Sequence, residues 1–305
     1  MPAEGDILQR LRGRIAAIER RGNGMRSEAA ILPFGMTEID EHLPWGGLAT
    51  GAVHEILDGD SSNNSQKTEI KTKYPVHQNP GDGLNGAVTA FVAALAGRAQ
   101  RARAAPVIWI APRHPGRESL YGPGLLEFGL DPAALVVVRV PSNSDFTATA
   151  LWAMEEALRA PSVGLVCAEI EEMDLTTSRR LQLAAETSGG LGLLLRRAPA
   201  TGRENVLPPT ASVSRWRITS RPGSPAEAAW LPARLPGQPR WQVELLRARG
   251  GQPRSWQLEW RDDRHNNSRD AAGGFALVSP LRDRPLPQKA PLPSVPHGKW
   301  QARTG

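Results

Sequence analysis

Five short, predominantly apolar runs recur through the middle of the sequence with helical stretches between them. This alternation limits the fold more than any other feature. The runs cover residues 52–57, 107–111, 135–140, 163–168 and 191–195. Between them, residues 87–99, 120–128, 145–159 and 175–188 space their apolar side chains at the helical period,. Strands that lack polar alternation are buried on both faces, and helices between them supply the long crossovers that parallel strands need. The order βαβαβαβαβ therefore predicts a mainly parallel sheet covered by helices on both sides, with right-handed connections.

The flanking regions have a different texture. Ile7, Leu8, Leu11, Ile15 and Ile18 alternate with Arg10, Arg12, Arg14, Arg20 and Arg21, predicting an amphipathic helix that ends near Gly22,. A short helix is expected between Pro33 and Pro44, after which Gly46-Gly47 turns the chain into the first strand,. Residues 58–86 are polar, with Pro and Gly and no apolar period, and read as a long insertion,. Beyond Arg196 the pattern becomes alternating. Residues 212–220 read as a strand, and residues 240–247 and 255–260 as a hairpin around Arg249-Gly-Gly-Gln-Pro253; all three are expected as antiparallel strands extending the sheet,. The expected organisation is an N-terminal helix and linker over 1–29, a core over 30–262, and a disordered, Pro-rich basic tail over 263–305,.

With 305 residues, 40% of them hydrophobic, the chain can bury a sizeable core,. No apolar stretch approaches the roughly 18 residues of a membrane helix, so a soluble, cytoplasmic protein with no membrane partner is expected. A single cysteine, Cys167, excludes an internal disulfide framework,. The six histidines show no ligand spacing, which disfavours a metal site,. Charge is unevenly placed. Residues 196–305 hold 19 Lys+Arg against 8 Asp+Glu, a net of +11, whereas residues 1–195 hold 18 against 23. The last third also holds six of the nine tryptophans, Trp216, Trp230, Trp241, Trp256, Trp260 and Trp300. Interleaved Arg and Trp can hold phosphates and stack bases, so weak DNA contact is expected of this third. Trp241 and Trp256 alternate with polar residues as core-facing strand positions do, and core is the reading for most of the six.

A phosphate loop would sit between the first core strand and the helix after it, where backbone amides and a helix N-terminus cradle phosphate oxygens. Gly81 and Gly86 keep the G-x-x-x-x-G spacing there, but Ala87 and Val88 stand where Lys and Ser/Thr belong. A weaker window, Ser61 to Thr68, keeps Lys67-Thr68 and lacks both glycines. Glu169, at the end of a core strand, is the candidate strand-end acid; a solvated charge cluster with Glu171, Glu172 and Asp174 is its bland alternative. No G-x-S-x-G nucleophile elbow occurs, and no residue is assigned a catalytic role.

Phe34 to Asp40, with Gly46-Gly-Leu-Ala-Thr-Gly-Ala-Val-His-Glu-Ile56, resembles the entry to the ATPase core of RecA, and the likeness continues through residues 107–114, 126–135 and 163–169. Residues 151–159, 174–186, 192–197 and 239–251 resemble recurring blocks of the ImuA family, the RecA-like proteins of bacterial mutagenesis cassettes. The resemblance covers roughly residues 30–262 and implies a RecA-like α/β fold. It also implies damage to the ATPase machinery. Arg113 matches the catalytic glutamate, Ala87 and Val88 match the phosphate-loop Lys and Thr, and Glu169 matches the strand-end Asp. ATP is accordingly not expected as a cofactor. The resemblance implies a non-catalytic accessory protein in SOS-induced translesion synthesis. Its expected partner is an ImuB-type inactive Y-family polymerase homologue, with an error-prone C-family polymerase, RecA and DNA as further candidates. Two other readings stay open: a DNA-dependent recombination or repair ATPase, and a cell-division inhibitor of the SulA type.

Overall fold

The computed structural model describes residues 31–59, 86–113, 120–197, 208–222, 238–261 and 273–278. The expected N-terminal helix, most of the insertion, and Trp230 and Trp300 lie outside these residues.

The chain enters through a two-stranded antiparallel ribbon, β1 (Ile31–Leu32) and β2 (Leu48–Ala49), which brackets the short helix α1 (Thr37–Asp40). The Asp40 carboxylate accepts from the backbone N–H groups of Phe34, Gly35 and Met36, which closes this entry on itself. The central elements follow as β3 (Ala52–Asp58), α2 (Gly86–Ala102), β4 (Val107–Arg113), α3 (Gly122–Glu127), β5 (Leu135–Pro141), α4 (Phe146–Arg159), β6 (Leu165–Ile170), α5 (Leu175–Ser188) and β7 (Leu191–Arg197). The last strands are β8 (Ser214–Arg221), β9 (Arg240–Ala248), β10 (Arg254–Arg261) and β11 (Gly274–Leu277).

Nine strands form one sheet in the order β11-β10-β9-β8-β3-β7-β6-β4-β5. All pairings from β8 to β5 are parallel, and those among β8, β9, β10 and β11 are antiparallel. The architecture is RecA-like α/β. On one face α2 and α3 cover Ile56, Trp109, Cys167 and Leu193; on the other, α4 and α5 cover Val53, Ile110, Val166 and Leu194. Helix α5 shows how local sequence sets its ends. The Asp174 carboxylate caps the Thr177 N–H at 2.8 Å, and Gly189 at φ 75° closes the other end, as only glycine does without strain,.

Two expectations change. The strand over residues 212–220 was expected to be antiparallel; β8 does pair antiparallel with β9, but it also runs parallel to β3, which lies between β7 and β8 in the sheet order. Residues 263–305, expected as a disordered tail, contain β11, whose Phe275 is buried opposite Trp260. Four residues carrying two large apolar side chains, Phe275 and Leu277, give too short an alternation to stand out in the sequence. Trp216, Trp241, Trp256 and Trp260 are all core residues, as the alternation around Trp241 and Trp256 indicated for most of the six. No helix among the described residues is long and apolar enough to cross a membrane.

Candidate functional site

In open α/β sheets ligands bind beyond the carboxyl ends of the strands, where neighbouring connections leave towards opposite faces. Here that rim is formed by the ends of β3, β7, β6 and β4 together with the start of α2. Asp58 closes β3, lies in register with Arg197 of β7 and Ile218 of β8, and is only 2% exposed. The next backbone N–H, that of Gly59, still donates to the Ile218 carbonyl at 2.8 Å. A Cβ at this glycine would stand 2.2 Å from Thr219 Oγ1, so only glycine lets the chain pass so close to β8.

The residues read as remnants of a phosphate loop are occupied in packing. Gly86 opens α2. The Ala87 carbonyl accepts from the Trp241 indole N–H at 2.9 Å. Val88 is fully buried among the residues beneath α2. Burying such a side chain contributes roughly 1.5–3 kcal/mol, which favours an apolar residue where a phosphate loop needs a hydroxyl. Neither Ala87 nor Val88 presents a cation or hydroxyl to a nucleotide, so these positions do not fit ATP and its magnesium ion. Gly81, Lys67 and Thr68 lie outside the described residues.

Glu169 and Asp58 alternate onto the α2 side of the sheet; Glu169 is level with Ile56, so Asp58 stands two strands away and two residues further along, roughly 12 Å,. The Glu169 carboxylate, 9% exposed, accepts from the Trp109 indole N–H of β4 at 2.9 Å. A buried indole thus fixes the strand-end acid in place. Arg113 ends β4 and is exposed; a guanidinium there has no proton to accept and cannot serve as a general base,. No group of three or more potential metal ligands occurs among the described residues.

The opposite side of the same strands holds a charged cluster that apolar periodicity did not reveal. Glu55 of β3 is completely buried. Its carboxylate accepts from Arg215 Nε at 2.7 Å and Ser212 Oγ at 3.1 Å, and Arg196 Nη1 stands 3.6 Å away. Arg215 continues to the Pro208 carbonyl and Thr210 Oγ1, and Arg196 donates to the Glu171 carbonyl. Burial pulls the Arg196 pKa below its usual value, with Glu55 opposing that pull and the neighbouring Arg215 adding to it. Two buried guanidiniums on one carboxylate are costly to desolvate, but together they tie β7, β3, β8 and residues 208–212 into one unit. The signal in the sequence was His54-Glu55, two polar residues inside an otherwise apolar strand.

Several arginines of the basic third are likewise engaged. Arg247 donates to the Thr210 and Ser212 carbonyls, Arg217 faces Glu244 at 3.5 Å, and Arg240 meets Glu259 at 2.5 Å. The exposed arginines of the described C-terminal strands and their connections include Arg221, Arg249, Arg254 and Arg261.

Comparison with known proteins adds a line of support independent of this geometry. No family model matches the chain. Over 265 residues it is 35% identical to Protein ImuA from each of two strains of Caulobacter vibrioides, an alignment covering 85% of this chain and 93% of each relative.

Proposed function

The chain belongs to the ImuA family, and from that premise we propose that it is a non-catalytic, RecA-like accessory protein of damage-induced mutagenesis. It acts in the cytoplasm in SOS-induced, error-prone translesion synthesis. It works by binding an ImuB-type inactive polymerase homologue that serves with an error-prone C-family polymerase. One observation carries the non-catalytic reading: the start of α2 is closed by packing, with the Ala87 carbonyl taken by Trp241 and Val88 sealed in the core. Arg113 in place of a base and Glu169 held by Trp109 support it. Phosphoryl transfer depends on positioned cations and an oriented nucleophile, and these positions supply neither.

Two measurements on the full chain test the reading. Steady-state phosphate release should stay at background with and without single-stranded DNA, and the chain should co-purify with an ImuB-type protein. DNA-stimulated turnover that disappears on Lys67→Ala would instead establish the recombination or repair ATPase. Weak DNA contact belongs to the same reading, and each phosphate neutralised releases counterions, so affinity should fall steeply with salt.

A further inference from the structure

The two faces of β8 to β11 differ in what they carry. On the α2 side lie Trp216, Trp241, Trp256 and Trp260, all buried. On the other side α4 and α5 pack on β3, β4, β5 and β6, and the apolar layer beneath these helices holds no residue of β8 to β11. Register sets what this uncovered side presents. Arg217 stands opposite Glu244, and Arg221 opposite Arg240, whose other neighbour is Glu259; Arg247 and Arg261 alternate onto the same side. Beyond Arg215, which is bound to buried Glu55, five arginines thus stand with two glutamates. The other positions are Thr, Gln, Ser, Gly and Ala, with no aromatic or large apolar side chain among them. Like charges directly opposite one another disfavour a sheet, yet Arg221 faces Arg240 and Arg247 faces Arg215,. Partial burial, and after it Arg215, pull the Arg247 pKa below its usual value, with Glu55 opposing and Arg249 adding to the pull. The face carries unbalanced positive charge.

We propose that this uncovered face of β8 to β10 holds the sugar-phosphate backbone of duplex DNA without reading its sequence. The proposal rests on the reading that the basic third contacts DNA, and it assigns the surface and the form of DNA it takes. Charge gives the class of partner. A protein partner would want an aromatic or apolar anchor at the centre of its interface, and this face offers none. Holding single-stranded bases takes exposed aromatic side chains, and the tryptophans of these strands are all buried on the opposite side,. Affinity therefore comes from phosphates alone. A duplex packs one phosphate into about 1.7 Å of its axis, so it is the better ligand for such a surface. The spread of the arginines agrees. Arg217 and Arg221 are four residues apart on β8, roughly 13 Å between backbone positions,. Arg261 lies two strands from Arg221 and two residues further along, roughly 12 Å,. The cations cover an area comparable to a major groove about 12 Å wide and can reach both of its phosphate walls, whereas a single strand follows a line.

Fluorescence anisotropy on the full chain tests this, with a duplex and a single strand of the same length and sequence at several salt concentrations. The duplex should bind about threefold tighter or more. Arg221→Ala and Arg261→Ala, at exposed positions, should each weaken duplex binding about threefold and lower the slope of log affinity against log salt by about one,. Both effects should be equal for duplexes of unrelated sequence, with an unchanged melting temperature. Glu244→Gln, which releases Arg217, should tighten binding. A single strand that binds as tightly as the duplex overturns the proposal, as does duplex binding that the two arginine variants combined leave intact. If those variants instead abolish capture of an ImuB-type protein and spare duplex binding, the face belongs to a protein partner and the proposal falls. The failures are separable: a chain that binds no DNA at low salt loses the DNA contact together with this face, whereas DNA binding indifferent to the variants removes only the face.

Discussion

His54 shows how much a single side chain can be constrained by neighbours remote in sequence. Its Nε2 lies 2.9 Å from the Ala49 carbonyl, which can only accept, so that nitrogen carries the proton,. Nδ1 must then accept from the Ser214 hydroxyl at 2.6 Å, and Ser214 Oγ in turn accepts the Trp216 indole N–H at 2.7 Å. The ring is therefore neutral and fully bonded, and burial pushes its pKa down to about 4 from 6.5. A lowered pKa means that the unfolded chain binds the proton more readily between those values. The associated stability is present above about pH 6.5 and is lost as the pH falls towards 4, a change of about 3 kcal/mol. Urea denaturation at a series of pH values should show this loss, and His54→Leu should flatten the dependence over that window even though it removes the network. In the sequence His54 was simply a polar residue in an apolar strand. Its partner lies 160 residues away, as does the Arg215 that pairs with Glu55. Short-range periodicity reports which face a side chain takes, and the pairing of buried polar groups across strands is a property of the sheet order.

At the scale of elements, α2 was legible because its residues are small and apolar, and the structure gives the reason for their size. Gly97 of α2 lies so close to the turn after α3 that a Cβ there would stand 2.4 Å from the Gly129 carbonyl oxygen. That obstacle is backbone and cannot swing aside. Gly129 itself is held at φ 75°, and its carbonyl accepts from Arg101. Gly97→Ala should therefore destabilise the protein by about 3 kcal/mol, despite alanine's better helix propensity, because α2 or the turn must move. Chemical denaturation against wild type measures this, and an increase in stability would show that the turn yields freely. The five core strands and their succession along the chain were readable from composition, since a strand buried on both faces has no polar alternation to show; their order in the sheet was not. The direction of β8 was not, because alternating side chains look the same in parallel and antiparallel pairings. β11 escaped for a different reason: it has only four residues, and the place of its buried Phe275 is set by Trp260 on the neighbouring strand.

Across the whole molecule, the C-terminal strands could have been an appended module, but the aromatic packing makes them part of the RecA-like core. Phe34 of the entry segment lies 5.3 Å from Trp216 and 6.3 Å from Phe275, centroid to centroid, and Phe91 of α2 lies 5.9 Å from Trp241 and 5.2 Å from Phe275. Phe128, just after α3, lies 5.6 Å from Trp260. Two indoles also satisfy carbonyls of the helical layer, Trp241 that of Ala87 and Trp260 that of Glu127. Removing residues 238–305 would leave these carbonyls without their donors and would strip the α2 side of three tryptophans and Phe275, each a loss on the order of 3–5 kcal/mol when a buried aromatic is cut back. Together such losses exceed the 5–15 kcal/mol stability typical of a domain. A chain ending at residue 237 should therefore lack a cooperative thermal transition, whereas one ending at residue 278, after the last backbone bond of Val278 to Gln257, should unfold in a single transition close to that of the full chain. Differential scanning calorimetry of the two truncations decides between one cooperative unit and two. A shorter chain that still melts cooperatively would make β9 to β11 an independent module. If the strands are integral, DNA contact by the basic third cannot be assayed by deletion, since loss of binding would only report unfolding. Charge reversal at exposed Arg249, Arg254 and Arg261 leaves the aromatic core in place, and it should lower both the affinity for single-stranded DNA and its salt dependence,.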